Sequence, residues 1–326
     1  MVGEVRPVMT PWKPTKVLMV GDHVAGLRDL VALRRPDLDL RAKSLPAIEA
    51  ADLDWAQVYV GFRKPPVEGW GSIRWIHSIG AGVDGLVYRK ALPDGVLLTK
   101  SGEDFGPAIG EWCLARALAV NQHLSELAED QIAHRWGRHR GVHDPIMLRG
   151  QRVAILGTGQ VGGGIARAFR ALGCRVVGLS RSGRPAADFD RVYLAGTEFA
   201  EAVAGADWLI LAAPLTEEST HYLDRGRLAL CGGVYLMNVG RGALVDEAAL
   251  GEALDRGWIR GAALDVFEKE PLPADSPLWG HPKVTISPHI SGPSTLEATA
   301  RGFLQSLEEV ERGERPQLAV DPRQGY

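Results

Sequence analysis

Three residues in the last third of the chain have side chains that could bind an acid and transfer a proton: Arg241, Glu270 and His289. Each comes shortly after an apolar run. A histidine can donate a proton near neutral pH, and a carboxylate partner would orient it and favour its charged form. The fork of an arginine matches the two oxygens of a carboxylate. Alone, each residue also fits a structural role, as a surface ion pair, a helix cap or a turn. Together they predict proton transfer to a substrate that carries a carboxylate.

A glycine-rich loop precedes these residues, in the stretch VAILGTGQVGGGIARAF. Gly157, Gly159 and Gly162 form G-x-G-x-x-G between an apolar strand and a helix, the context in which this motif binds dinucleotide phosphates. The helix N-terminus adds free N–H groups and the positive end of its dipole. Gly163 and Gly164 each cost about 1 kcal/mol relative to alanine in a helix, and either close packing or drift would account for them. The competing interpretation is an ordinary glycine turn.

The strand after this loop ends in VGLSRSGR, without the acidic residue that usually binds the ribose hydroxyls there. Ser180, Arg181, Ser182 and Arg184 stand in its place. A carboxylate would repel a 2′-phosphate, whereas hydroxyl and guanidinium groups would bind one. This stretch predicts NADP(H) as the preferred cofactor, with NAD(H) possible. A solvated basic loop is the alternative.

Short apolar runs alternate with helix-like segments along most of the chain. The runs begin near residues 16, 39, 57, 74 and 96, and again near 152, 174, 207, 234, 261 and 283. Helices are predicted at 26–35, 106–130, 163–172 and 294–312. This alternation predicts the α/β class, with two Rossmann-like domains built on doubly wound parallel sheets and a cleft between them. Because ligands bind beyond the carboxyl ends of parallel strands, Arg241, Glu270 and His289 should converge there.

Composition excludes several other classes of protein. The 326 residues carry a formal net charge of −3, which argues against electrostatic binding to nucleic acid or to an anionic membrane. No apolar run reaches the roughly 18 residues of a membrane span, and the N-terminus has no signal-peptide layout. The three cysteines are far apart and no zinc-binding spacing occurs, so we expect reduced thiols, no metal and a cytoplasmic location.

Six motifs in order along the chain resemble one known family. They are GAGVD, LGTGQVG, APLTEEST, NVGRGALVDEAAL, ALDVFEKEPLP and SPHISG. By them the chain resembles the D-isomer-specific 2-hydroxyacid dehydrogenases over nearly its whole length. SRSGRP and PLPADSPLWGHPKVTISPH are most similar to the NADPH-dependent glyoxylate/hydroxypyruvate reductase branch. The segment from Lys100 to Gly110 departs from the commoner family pattern, so the details of the substrate pocket are the least predictable part.

The resemblance implies roles for individual residues. Arg241 would bind the substrate carboxylate and polarise the keto oxygen, His289 would protonate that oxygen, and Glu270 would hold His289. The backbone of Ala81 and Gly82 would bind the carboxylate, and Trp136 would reach a neighbouring subunit's site or serve as a buried anchor. The implied cofactor contacts are Gly157, Thr158, Gly159, Gln160, Val161, Gly162, Ser180, Arg181, Ser182, Arg184, Ala213, Pro214, Val239, Gly240, Asp265 and Gly292, with Asp265 on the nicotinamide carboxamide.

The resemblance also implies the domain organisation and the partners. Residues 1–105 with 291–326 would form a discontinuous substrate domain, and 106–290 the dinucleotide-binding domain. The partner would be a small 2-keto or 2-hydroxy acid, and the protein a homodimer built on the 106–130 helix. Alternatives are D-3-phosphoglycerate dehydrogenase, D-lactate dehydrogenase and, more remotely, a nucleotide-sensing corepressor. Formate dehydrogenases of this fold have Gln where Glu270 stands, which argues against that activity.

Overall fold

The computed structural model describes residues 10–22, 24–88, 92–136 and 144–322. The chain divides into two compact units: unit 1 is Met1–Glu103 with Ser294–Tyr326, and unit 2 is Asp104–Pro293. The assignment of these units as a substrate domain and a dinucleotide-binding domain stays a prediction. Asp104 belongs with unit 2 because its carboxylate accepts the N–H of Gly106, at the start of the first helix of that unit.

The helices and strands follow one another in the expected alternation. Up to residue 103 they are β1 Lys16–Val20, α1 Val24–Arg34, β2 Asp39–Lys43, α2 Ala50–Trp55, β3 Val58–Gly61, β4 Trp75–Ser78, α3 Asp84–Val87 and β5 Leu97–Lys100. From residue 104 they are α4 Gly106–Asn121, α5 Leu124–Ile132, β6 Arg152–Leu156, α6 Gln160–Ala171, β7 Arg175–Ser180, β8 Arg191–Leu194, α7 Phe199–Val203, β9 Trp208–Leu211, α8 Arg225–Ala229, β10 Val234–Asn238, α9 Glu247–Asp255, β11 Ile259–Leu264 and β12 Val284–Ile286. Helix α10, Leu296–Glu311, returns to unit 1.

Each unit is built on a parallel sheet. Unit 1 has five strands in the order β2-β1-β3-β4-β5, and unit 2 has seven in the order β12-β11-β10-β9-β6-β7-β8. In both sheets the order reverses after the first strand, which makes them doubly wound. The central strands are buried along nearly their whole length because helices cover both faces, which is why they appear in the sequence as continuous apolar runs. The predicted fold class is confirmed.

The bounds of α1 and α10 differ from the predicted ones by one or two residues, and two other helix predictions differ more. The segment 106–130 is two helices, because His123 adopts a left-handed backbone (φ 52°) between α4 and α5. Helix α6 begins at Gln160, three residues earlier than predicted, because Gly159 serves as its N-cap. The first turn of α6 therefore contains the last part of the glycine-rich loop.

Helices α4 and α6 pack with their backbones nearly in contact. A Cβ built on Gly164 would lie 2.3 Å from the Cα of Gly106, and one built on Gly110 would lie 3.2 Å from the carbonyl oxygen of Gly164. A Cβ on Gly163 would instead lie 3.1 Å from a carboxylate oxygen of Asp188, the end of a side chain that can move. Close packing therefore explains Gly164, and the structure gives no equally strong reason for Gly163.

The core of unit 1 contains a fully buried histidine. His77 lies beside Phe303 and Trp75, and its Nδ1 is 2.7 Å from the hydroxyl oxygen of Thr99. That hydroxyl also accepts the indole N–H of Trp75, and if it donates its own proton to Nδ1 the imidazole proton is on Nε2. Nε2 has no partner among the residues described. Desolvation lowers the pKa of His77 to about 3.

We expect His77 to make the protein sensitive to mild acid. In the unfolded chain this histidine binds a proton as the pH falls through about 6.5, whereas in the folded chain it stays neutral. The contribution of the neutral histidine to stability is therefore complete above about pH 6.5 and is lost progressively below it. The loss approaches roughly 1.4 kcal/mol per pH unit. The thermal midpoint should fall more between pH 7.5 and pH 5 in the wild type than in His77→Gln, whose amide oxygen can still accept from Thr99. Equal falls would contradict this role.

In the described part of the chain, no helix is long and apolar enough to cross a membrane. Within the same residues, no group of three or more His, Cys, Asp or Glu side chains is arranged to hold a metal ion. Cys113, Cys174 and Cys231 are buried and unpaired. Burial raises the pKa of Cys174 to about 11 and that of Cys231 to about 12, which leaves these thiols protonated.

Candidate active site

The glycine-rich loop forms a cradle between β6 and α6. Gly157 has φ +101°, and a Cβ there would lie 2.7 Å from the carbonyl oxygen of Ala212. A Cβ on Gly162 would lie 1.9 Å from the carbonyl oxygen of Gly157. At Gly159, by contrast, a Cβ would meet no described atom within 4 Å, so the surface is open where α6 begins. The loop therefore fits a dinucleotide: two glycines close the turn and the third leaves the helix N-terminus accessible to phosphate.

The other residues of this loop differ in exposure. The methyl group of Thr158 packs over β7 at Gly178. A Cβ on Gly178 would lie only 2.5 Å from that methyl group. Gln160 is exposed and Val161 is half-buried in the first turn of α6. Thr158 therefore connects the loop to the strand that ends at Ser180.

The predicted phosphate-binding residues lie beside this cradle. Gly157 donates its N–H to the carbonyl oxygen of Leu179, which joins the end of β7 to the glycine-rich loop. The hydroxyl of Ser180 accepts the N–H of Gly183 at 3.1 Å, which closes the loop after β7. Arg181, Ser182 and Arg184 are exposed. Two guanidinium groups and hydroxyls thus lie at the edge of the sheet where a ribose would be bound.

The next two strands end at the same edge. Val239 donates its N–H to the carbonyl oxygen of Leu211, and a Cβ on Gly240 would lie 2.9 Å from the carbonyl oxygen of Ala213. Pro214 is exposed immediately after it. The structure thus brings Ala213, Val239 and Gly240 together, as predicted for residues beside a cofactor. A Cβ on Gly292 would lie 3.2 Å from the side chain of Ile109 in α4.

Arg241 follows β10 in a turn that Asn238 shapes. The Asn238 side chain accepts the N–H of Gly240 at 3.1 Å and donates to the carbonyl oxygen of Arg241 at 2.8 Å. Arg241 is half-buried, and its Nη1 donates to the carbonyl oxygen of Gly240 at 2.7 Å. Gly242 comes next, where a Cβ would lie 1.8 Å from the carbonyl carbon of Phe267. The Arg241 turn is therefore packed directly against the segment that leads to Glu270.

Glu270 and His289 form a hydrogen-bonded pair. Nδ1 of His289 is 2.8 Å from Oε2 of Glu270, and the other carboxylate oxygen of Glu270 accepts the N–H of Phe267 at 3.1 Å. Burial alone would raise the pKa of Glu270, but the bond to His289, its charge, the Phe267 N–H and the charge of Arg241 outweigh it and hold that pKa below its ordinary value. Glu270 is therefore ionised at neutral pH and can hold the ring of His289 by a charge-assisted hydrogen bond.

Asp265 fixes the turn that presents His289. Its fully buried carboxylate accepts the hydroxyl of Ser287 at 2.5 Å and the N–H groups of Ile290 at 3.0 Å and Ser291 at 2.8 Å. Its backbone carbonyl accepts the N–H of His289, whose φ of 54° is rare outside glycine. Asp265 thus holds a strained backbone in place. Its contact with a nicotinamide carboxamide stays a prediction.

A second pair of carboxylates ties the Glu270 segment to α9. Glu247 and Glu268 each accept the other's backbone N–H, at 2.7 and 3.2 Å, and Glu268 also lies 2.9 Å from Nε2 of His221. Burial raises the pKa of Glu247, and the neighbouring charges of Glu268 and Glu270 add to this effect. These bonds keep the start of α9, which follows the Arg241 turn, beside the segment that carries Glu270.

Sequence reasoning missed Asn238, Ser287 and Ser291 as residues that support the site. Asn238 could have been found, since an asparagine between an apolar strand and Gly-Arg-Gly commonly shapes a turn. The two serines flank His289 symmetrically, but their common partner, Asp265, is more than twenty residues away in the sequence. That distance is why no local pattern revealed them.

The predicted carboxylate-binding loop lies in unit 1, apart from these groups in the chain. The Ser78 hydroxyl donates to the carbonyl oxygen of Gly82 at 2.7 Å, and Ser101 donates its N–H to that of Gly80 at 3.2 Å. The carbonyl groups of Gly80 and Gly82 are held in this way, and the N–H groups of Ala81 and Gly82 bond to no other residue that the structure describes. They are suited to binding an anion.

Trp136, in unit 2, is 93% exposed, which is inconsistent with the buried-anchor alternative.

Comparison with known proteins identifies the family. The family model described as "D-isomer specific 2-hydroxyacid dehydrogenase, NAD binding domain" matches residues 114–291, more than half of the chain. The chain belongs to this family. It is an NAD(P)-dependent oxidoreductase with 2-hydroxyacid dehydrogenase activity, and the predicted family is confirmed.

Two relatives and one solved structure illustrate the similarity. Glyoxylate/hydroxypyruvate reductase A of Serratia proteamaculans (strain 568) is 33% identical over 284 residues, 84% of this dehydrogenase and 88% of the relative. D-3-phosphoglycerate dehydrogenase of Mycobacterium leprae is 31% identical over 88% of this chain, which spans only 54% of that protein. The D-isomer specific 2-hydroxyacid dehydrogenase from Xanthobacter autotrophicus Py2, solved with NADPH and MES, has a TM-score of 0.83 at 29% identity and covers 97% of this chain and 100% of its own.

Proposed function

We propose that this dehydrogenase reduces a small 2-keto acid, glyoxylate or hydroxypyruvate, to the D-2-hydroxy acid with NADPH. The observation that carries the proposal is the pair of His289 and Glu270, with Arg241 packed against the same segment. The similarity to a relative named glyoxylate/hydroxypyruvate reductase A supports this choice of substrate. The phosphoglycerate dehydrogenase relatives leave a second substrate class to be tested.

In this proposal each side chain has one task. The nicotinamide supplies the hydride when it is bound. Nδ1–H of His289 is donated to Glu270, so the proton for the keto oxygen leaves from Nε2. Glu270 keeps its charge at neutral pH and balances the imidazolium. Arg241 binds the substrate carboxylate with its fork and polarises the keto oxygen.

A substrate panel tests the proposal. With glyoxylate, hydroxypyruvate, phosphohydroxypyruvate and pyruvate at equal concentrations, the loss of NADPH absorbance should be fastest with glyoxylate or hydroxypyruvate. Preference for phosphohydroxypyruvate would assign the phosphoglycerate dehydrogenase alternative, and preference for pyruvate the D-lactate alternative. Turnover of none of them would favour a nucleotide-sensing binding protein.

NADPH as the preferred cofactor rests on the loop after β7. Ser180 and Ser182 offer hydroxyl groups there, and Arg181 and Arg184 offer guanidinium groups, beside the phosphate cradle. The structure bound to NADPH from Xanthobacter autotrophicus Py2 shares the fold. NADH remains a possible second cofactor in this proposal.

Replacing Arg181 with Asp should shift cofactor preference toward NADH. A hydrogen bond to a charged group contributes about 1.5–3 kcal/mol, so the ratio of kcat/KM for NADPH over NADH should fall about tenfold to a hundredfold. Arg175→Asp is the matched control: it makes the same charge change at the exposed beginning of the same strand. An unaltered ratio in Arg181→Asp, or an equal fall in the control, would rule out a role in cofactor choice.

The remaining assignments are proposals of the same kind. Unit 1 would be the substrate domain and unit 2 the dinucleotide-binding domain. The homodimer is supported by exposed apolar side chains on and after α5: Leu124, Leu127, Ile132, Trp136, Ile146 and Met147. If sedimentation velocity gave the mass of one chain, 35.2 kDa, that result would contradict the homodimer.

The cytoplasmic location stays a prediction from the sequence. Of the basic stretch around Trp136, residues 137–143 lie outside the described part of the chain.

A further inference from the structure

We propose that Lys100 is a substrate-binding residue: its ammonium group neutralises the carboxylate that the N–H groups of Ala81 and Gly82 bind on unit 1. The inference rests on the proposed function for the identity of the ligand, a 2-keto acid, and adds a cation that the sequence motifs do not assign.

The register of the sheet places Lys100 next to the carboxylate-binding loop. Lys100 is the last residue of β5 and pairs with Ser78, the last residue of β4. Ser78 is the residue whose hydroxyl binds the carbonyl group of Gly82. The next residue, Ser101, donates its N–H to Gly80. Lys100 is therefore held between two residues that fix this loop.

The side chain of Lys100 lies on the same face of the sheet as the loop. Side chains alternate along a strand, so Lys100 lies on the face of Leu98 and opposite to that of Thr99. Thr99 contacts His77 and Trp75 in one core of unit 1, whereas Leu98 belongs to the other core, with Val83. Val83 directly follows Gly82 in the sequence.

Lys100 differs from the comparable lysine of the sheet in having no counter-charge among the described residues. Lys43 is the last residue of β2, so it also lies at the carboxyl end of a strand of this sheet. Its ammonium group lies 2.7 Å from the carboxylate of Asp52. Lys100 is half-buried, and its ammonium group makes no ion pair or hydrogen bond within the ranges the structure covers. Burial lowers the pKa of Lys100 below its ordinary value, which a bound carboxylate would reverse.

The chemistry of the loop and the lysine is complementary. Two backbone N–H groups provide direction for a carboxylate but no net charge, and a half-buried ammonium group provides the charge. Together they suit one carboxylate better than a neutral carbonyl. We therefore expect Lys100 to contribute to the affinity for the keto acid and to leave NADPH binding unchanged.

The test compares Lys100→Met, Lys100→Arg and a control, Lys16→Met, in the full-length enzyme. Lys16 is exposed at the opposite end of β1 in the same sheet. Lys100→Met should raise KM for the keto acid by about tenfold or more, with a smaller change in kcat and the same Kd for NADPH. Lys100→Arg should recover most of the affinity, and Lys16→Met should match the wild type.

Oxalate binding separates this inference from the proposed function. Calorimetry with oxalate and the complex of enzyme and NADPH needs no turnover. Weaker oxalate binding in Lys100→Met but not in Lys16→Met would support Lys100 even if no keto acid is reduced. Equal oxalate affinity in the wild type and Lys100→Met would overturn it. Equal losses in Lys100→Met and Lys100→Arg would also overturn it, because they would indicate a structural role. If Lys100→Met fails to fold, Lys100→Gln replaces it, with the same two outcomes.

Discussion

His289→Gln should slow keto-acid reduction by about a hundredfold to ten-thousandfold, the usual contribution of a positioned proton donor. The amide can still bond to Glu270 but has no proton to give at neutral pH. NADPH binding should change little, because in the described part of the chain the glycine-rich loop and Ser180 form no hydrogen bond with His289. Steady-state kinetics with a fluorescence titration of NADPH would measure both effects.

Two further variants make this prediction specific. Glu270→Gln keeps a hydrogen-bond partner for Nδ1 but removes the charge that the low pKa of Glu270 maintains. Reduction by Glu270→Gln should therefore be slower than in the wild type, because His289 has lost the charged partner that holds its ring. His281→Gln, at another histidine of unit 2, should behave as the wild type. A loss under about tenfold in His289→Gln would remove the proton-donor role.

Gly164→Ala should destabilise the protein by about 3 kcal/mol or more, the upper range for overpacking a core. Its Cβ would lie 2.3 Å from the backbone of Gly106, which no rotation of a side chain can relieve. Helix α6 would have to move away from α4, and its first turn carries the phosphate cradle. NADPH affinity should fall together with the denaturant midpoint.

Gly163→Ala is the matched control for this change. It adds the same methyl group one residue earlier in the same helix, where the nearest group is the end of the Asp188 side chain. The gain in helix propensity of about 1 kcal/mol should offset a small adjustment there. Equal denaturation midpoints for the two variants would contradict the close-packing explanation.

The sequence predicted the sheets well because buried parallel strands are continuous apolar runs. It missed β8, Arg191–Leu194, a short edge strand in which only Tyr193 is buried. It also missed the break between α4 and α5, because nothing in the residue type of His123 demands a left-handed backbone. Local propensity was overridden by the fold at both places.

The site was predictable in part. Motif spacing identified Arg241, Glu270 and His289, and the structure brings Glu270 and His289 to hydrogen-bonding distance. The bonds from Asp265 and Asn238 that fix the two turns depend on residues meeting in space. The contact of Gly242 with Phe267 likewise forms only when two segments that are distant in the sequence meet in the fold. Their roles in catalysis stay predictions until the variants are measured.

The hydrogen bonds of His289 have a consequence for engineering. Among the described residues, its partners are Asp265, Glu270 and Ser287, which lie in the segments that follow β11 and β12. The loop of Ala81 and Gly82, with Lys100, lies in unit 1. In the proposed function, a library confined to residues 78–101 should therefore alter the choice of acid while leaving the bond between His289 and Glu270 in place.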